Sequence, residues 1–320
     1  MELYNLVSSK KHKARFHTPG HAGKTFLCAE WDVTELDDTD NLQNPTGVIR
    51  RAEKRAATAY KVSDALYFTS GATTAIFVAL QTVAELGIKK VCPINISGGV
   101  NNTVFRTHHK AFDVGARFAG LTVVDDVEKD ACAFVTSPNY YGQCMGLNEL
   151  ESIKKKAGLL VVDSAHGAHF AFSKLLPDCA SSVADLVVIS PHKTMPVLTG
   201  GALLLVGKAN LSEYCKKHRA DLHTTSPSYP IMATLDYAVS HFSEKGEAYY
   251  EKVVTAINNF KKQNSHLDFF ENSDPTRLVI NTSNVPKNIY PELVDDGKVV
   301  YIVNPYNYMH LNEIAKGNNK

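Results

Sequence analysis

The chain has 320 residues, 44% of them hydrophobic, enough to bury one large domain with a smaller appendage. Its 34 Lys and Arg balance 33 Asp and Glu, which removes the global field that draws proteins to nucleic acid or anionic membrane. Six scattered cysteines (Cys28, Cys92, Cys132, Cys144, Cys179, Cys215) form no CxxC pair or metal-ligand spacing, Met1 to Phe16 lacks the apolar stretch of a leader, and no run nears the roughly 18 apolar residues of a membrane span, so a cytoplasmic protein with reduced thiols is expected.

The N-terminal 60 residues read as an irregular arm apart from a helix over Gly47 to Lys61. From Ala65 to Val206, short apolar runs (Ala65 to Thr69, Val91 to Ile94, Leu121 to Val124, Cys132 to Thr136, Leu159 to Asp163, Asp185 to Ser190, Ala202 to Val206) alternate with helical patterns such as Ala75 to Leu86 and Leu147 to Lys156. This alternation predicts an α/β domain with a mostly parallel sheet and helices on both faces, spanning 61–262. Ile231, Leu235, Val239 and Phe242 recur at steps of about four, which predicts a long amphipathic helix reaching Phe260, with a bend near Gly246. Beyond it, Arg277 to Ile280 and Val299 to Val303 suffice for a small α+β domain over 263–320.

In an open α/β sheet, ligands bind at the carboxyl ends of the strands. Three strand ends are chemically loaded here. Ser70-Gly71-Ala72-Thr73-Thr74 follows a strand and opens a helix, so its amides and hydroxyls could cradle an anion, although the same residues also make an ordinary helix cap. In Asp163-Ser164-Ala165-His166-Gly167-Ala168-His169, a strand-end carboxylate could hold a heteroaromatic nitrogen protonated, with Ala165 small enough to lie beneath a flat ring, or Asp163 could merely cap a helix beside packed histidines. Ser190-Pro191-His192-Lys193 ends a third strand with a lysine, which desolvation would make nucleophilic toward an aldehyde; most lysines are simply solvated. Taken together, an anion seat, a carboxylate about 90 residues later and an amine 30 residues after that are what pyridoxal 5'-phosphate requires.

Between Phe16 and Arg277 the residues resemble the Orn/Lys/Arg decarboxylases, fold-type-I pyridoxal-phosphate enzymes with the aspartate-aminotransferase-like fold. The likeness rests on His17-Thr18-Pro19-Gly20-His21, Asp32 to Leu36 with Asn41-Leu42 and Pro45-Thr46-Gly47, Ser137-Pro138-Asn139-Tyr140-Tyr141-Gly142, the Asp163 and Lys193 motifs, Thr224-Thr225-Ser226-Pro227-Ser228-Tyr229-Pro230, and Asp274-Pro275-Thr276-Arg277-Leu278. The resemblance implies that Lys193 forms a Schiff base with the cofactor and that Asp163 pairs with the pyridine nitrogen. Ser70, Gly71, Ala72, Thr73, Ser190 and His192 would surround the phosphate, with Ala165 and His166 beside the ring. Lys193, Asp163, His166 and His192 are then the catalytic candidates, and decarboxylation of arginine, lysine, ornithine or a related amino acid is the implied reaction. A homodimer would bring Thr225 and Ser226 from the second subunit.

Two departures accompany the resemblance. Asn95 aligns with a family asparagine, but Ser97, followed by Gly98 and Gly99, stands where the family has a ring-stacking histidine, unless His108 or His109 folds back to supply one. The stretch after Asp274 to Leu278 is shortened to about 40 residues. Elimination, transamination and a cofactor-binding homologue with a regulatory or assembly role therefore stay open beside decarboxylation, since one Lys and one Asp serve all such reactions. His17 and His21 are expected at the site entrance or in a turn.

Overall fold

A computed structural model describes residues 14–16, 39–94, 96 and 108–316. His17, His21, Cys28, Asp32 to Leu36, Asn95 and Ser97 to Gly99 lie outside them. In chain order the strands are β1 (Ala14–Phe16), β2 (Asp64–Phe68), β3 (Lys90–Ile94), β4 (Thr122–Val123), β5 (Ala131–Thr136), β6 (Leu159–Asp163), β7 (Leu186–Ile189), β8 (Ala202–Val206), β9 (Arg277–Asn281), β10 (Ile289–Pro291), β11 (Leu293–Asp295) and β12 (Lys298–Ile302). The helices are α1 (Val48–Ala59), α2 (Ala72–Glu85), α3 (Lys110–Phe118), α4 (Leu147–Lys156), α5 (Pro191–Thr194), α6 (Ser212–Leu222), α7 (Tyr229–Gln263) and α8 (Leu311–Lys316).

Every apolar run expected between Ala65 and Val206 is a strand, and the runs assemble into one seven-stranded sheet in the order β2-β8-β7-β6-β5-β3-β4. All neighbours are parallel except β8, which lies antiparallel to both β2 and β7. Side chains alternate faces along each strand, so both faces must be apolar when both are covered. Tyr67, Val135, Val162, Val187 and Leu205 enter one core, while Phe68, Phe134, Val161, Val188 and Leu204 enter the other. Helices α1 and α7 cover the first face; α2 and α6 cover the second.

The long amphipathic helix is present as α7, 35 residues that run unbroken through Gly246. Gly246 serves proximity there: a β-carbon at that position would lie 2.7 Å from both the carbonyl oxygen and the Cβ of Phe172. Past α7, β9, β12 and β11 form an antiparallel sheet, and β10 pairs in parallel with β1. Among the described residues, no helix is long and apolar enough to cross a membrane.

Candidate active site

Because β2, β5, β6 and β7 run in the same direction, their carboxyl ends share one edge of the sheet. That edge holds a cavity of about 300 Å³, at the lower end of the roughly 300–1,000 Å³ range of small-molecule sites. Ser70, Gly71, Ala72, Thr73, Asp163, Ala165, His166, Ser190, His192 and Lys193 all line it, so ten of the twelve expected site residues converge. The other two, Thr225 and Ser226, are exposed in the turn between α6 and α7 and do not reach this cavity within one chain.

Backbone hydrogen bonds knit the strand ends together. Ser137 N–H donates to the Asp163 carbonyl (3.0 Å) and Ser164 N–H to the Val188 carbonyl (2.8 Å), which sets the β5, β6 and β7 termini side by side. Gly71 adopts φ +81°, a conformation that glycine enters without steric penalty, and its N–H donates to the Gly200 carbonyl (2.8 Å). The amino end of α2 thus faces the cavity, where unpaired N–H groups favour an anion. Ser190 Oγ and Thr136 Oγ1 line the same space buried and without a hydrogen-bond partner among the described residues. Unpaired buried hydroxyls are costly, and a polar ligand would satisfy them.

Asp163 is 3% exposed. Burial pushes its carboxyl pKa up, and the Lys193 amine and the Ala165 N–H (3.1 Å) only partly offset that. A buried carboxylate short of positive charge fits a cationic ring nitrogen as its missing partner. Lys193 lies just beyond the carboxyl end of the neighbouring parallel strand, β7. Burial lowers its pKa, as does the Arg277 charge, against the pull of Asp163 and Glu292. Its Nζ stands 3.0 Å from His166 Nε2 and 5.9 Å from the centre of the Tyr140 ring. His166 itself is held well below its usual pKa, first by burial and then by the charges of Lys193 and Arg277. His192 donates from Nδ1 to the Gly201 carbonyl (2.8 Å), which orients its ring at the cavity wall. These groups suit pyridoxal phosphate: an anion seat, a cation-seeking carboxylate and a low-pKa amine around one cavity.

Both His108 and His109 line the cavity, so this wall does carry imidazoles. His109 caps α3, its Nδ1 accepting the Ala111 N–H (3.1 Å), and burial followed by the Lys193 charge lowers its pKa. Thr136, Thr199 and Gly200, none of them a candidate from the sequence, also line the cavity. Nor did the sequence suggest a role for Arg277, 2% exposed, whose Nη2 donates to His166 Nδ1 (3.1 Å). The signal in the sequence was a charged residue opening the apolar run Leu278 to Ile280.

A profile of the family described as Orn/Lys/Arg decarboxylase, major domain, matches residues 119–316. The chain is 28% identical to the uncharacterized protein YaaO of Bacillus subtilis, over 93% of this chain and 72% of that one. It is 26% identical to an arginine decarboxylase of Bacillus anthracis, over 87% and 64%. The fold matches that of a constitutive lysine decarboxylase of E. coli with a TM-score of 0.68 at 14% identity, over 87% of this chain and 52% of that one. The chain thus spans about two thirds of these curated relatives and about half of the enzyme of known structure.

Proposed function

The chain belongs to the Orn/Lys/Arg decarboxylase family, and from that premise we propose that it is a pyridoxal-phosphate-dependent decarboxylase of arginine, lysine, ornithine or a related amino acid. The observation that carries the reading is the convergence of the Asp163 carboxylate and the Lys193 amine on one cavity beside the amino end of α2. When bound, the cofactor supplies an electron sink for the pair released as a bond to the substrate α-carbon breaks.

The chain's own groups have distinct tasks in this reading. The amino end of α2, with Ser70, Gly71, Ala72, Thr73, Ser190 and His192, holds the phosphate, and Lys193 Nζ is the amine for the aldehyde. Asp163 keeps a proton on the ring nitrogen through its charge. Ala165 leaves room for a flat ring, and Tyr140 against His166 (ring centroids 5.0 Å apart) excludes water on that side. The proton that replaces CO2 on the substrate carbon would be the one that the incoming substrate ammonium gives up to Lys193 Nζ, which stands 3.0 Å from His166 Nε2. His108 or His109, both at the cavity wall, would supply the imidazole that a serine at 97 does not.

Thr225 and Ser226, exposed on their own chain, complete the cavity of a second subunit in a homodimer. We further assign 1–60 to an arm, 61–262 to the cofactor domain and 263–320 to a shortened small domain, in a cytoplasmic protein. The test is direct. Purified protein loaded with pyridoxal phosphate turns yellow, borohydride bleaches it, and CO2 is released from one of arginine, lysine or ornithine. A colourless protein overturns the cofactor assignment; colour without CO2 from any basic or neutral amino acid overturns the decarboxylase assignment.

A further inference from the structure

Three side chains form a chain of contacts that ends at the cavity, which His166 and Lys193 line: Arg277 Nη2 lies 3.1 Å from His166 Nδ1, and His166 Nε2 lies 3.0 Å from Lys193 Nζ. A guanidinium has N–H donors and no acceptor, and stays protonated in proteins. Arg277 must therefore donate, and His166 Nδ1 must accept with its lone pair. A neutral imidazole carries its proton on one nitrogen only, so that proton sits on Nε2. The Nε2–H then points at Lys193, which can complete the contact only by accepting through a lone pair. An ammonium group has none.

We propose that Arg277 is a positioning residue for Lys193: by donating to His166 Nδ1 it fixes the Nε2–H tautomer, and that N–H holds Lys193 as a neutral amine. Burial works in the same direction on both titrating groups, lowering the basicity of His166 and of Lys193. The charges facing the pair come from several elements. Asp163 at the end of β6 and Glu292 between β10 and β11 favour the ammonium form of Lys193, and Arg277 at the start of β9 opposes it. His109 before α3 and His192 on α5 disfavour a charged His166. Arg277 is itself held among buried groups, with its Cβ and Cγ under Gly142 and its charge beside Asp274.

The consequence deepens the reading of Lys193 as the reactive amine, since only the free base is nucleophilic. The test uses the full chain freed of carbonyl ligands and labelled with 15N-histidine, the His166 signals being assigned by their loss in His166→Gln. At neutral pH the wild-type ring is expected to show an unprotonated Nδ1 and a protonated Nε2. In Arg277→Met the two tautomers mix, and the pH midpoint for carbamylation of Lys193 by cyanate, read by mass spectrometry, rises by about one unit, an approximately tenfold loss of reactivity near neutral pH. Arg277→Lys restores a permanent donor, and with it the ring signal and most of the midpoint. A wild-type ring protonated on Nδ1, or on both nitrogens, overturns the proposal even if the variants fail to fold. An unchanged tautomer in folded Arg277→Met does so as well. None of these readouts involves CO2, so failure of the decarboxylase reading leaves them standing and is told apart from failure here.

Discussion

Two carboxylates, Asp163 and Asp274, are both almost wholly buried, yet they are treated in opposite ways. At Asp274, burial would raise the pKa, but the neighbouring His169 ring, the Arg277 charge and the Thr276 hydroxyl (2.7 Å) outweigh it and hold the carboxyl below its usual range. At Asp163, burial wins: one N–H and one amine do not compensate it, and the pKa rises. Asp274 is a charge-compensated structural corner, tying the turn before β9 to the β6 loop through His169 and Thr276 (3.0 Å) by way of its Oδ1, while its Oδ2 has no hydrogen-bond partner among the described residues. Asp163 is an undercompensated one, and it opens into the cavity. The contrast teaches that a buried carboxylate left short of opposite charge at a strand end marks where a ligand completes the electrostatics.

The comparison can be broken most decisively at the amine that faces Asp163. Lys193→Ala is expected to abolish the yellow colour and to lower CO2 release by at least about a thousandfold, read by absorbance and by trapping CO2. Asp163→Asn should cost about 10²- to 10³-fold in activity while the cofactor-free chain loses no stability, because a poorly compensated buried charge has been removed. Asp274→Asn should instead destabilise the cofactor-free chain by about 3 kcal/mol in denaturant unfolding.

The pH dependence sharpens the same contrast. A depressed carboxyl contributes stability above its unfolded pKa of about 3.9 that is lost as pH falls through the folded value. A raised one contributes stability at low pH that is lost as pH climbs through its folded value. The stability changes of Asp274→Asn and Asp163→Asn should therefore have opposite signs, or the latter be zero, at pH 7, and both should approach zero in acid. A destabilisation of Asp163→Asn as large as that of Asp274→Asn at neutral pH would erase the distinction. The smallest effects belong to buried hydroxyls. Tyr60→Phe removes a 2.7 Å bond to the Ala168 carbonyl next to the Asp163 loop and should cost about 1 kcal/mol. Tyr250→Phe, beside Asp274 with no hydrogen-bond partner for its hydroxyl among the described residues, should stay within about 0.5 kcal/mol.

Much of this was legible in the residues themselves. The runs Leu159 to Asp163 and Ala202 to Val206 matched their strands end to end, since a sheet covered on both faces demands unbroken apolar runs. Leu147 to Lys156 matched its helix for the related reason that one apolar face recurs every 3.6 residues. Gly246 misled in the other direction: its small size reads as a bend in sequence, whereas the close approach of Phe172 is visible only once the chain has folded.

The sequence by itself determined the alternation of strands and helices, and with it the single edge on which the loop at Gly71, the carboxylate at 163 and the amine at 193 all arrive; periodicity and strand direction suffice for that. Only the tertiary structure decided that Arg277, 84 positions beyond Lys193, stands against His166, and that His108 and His109 turn toward the cavity. Hydrogen bonds and charge compensation between elements distant in the chain depend on packing geometry to within an ångström, and no periodicity in the sequence encodes that distance.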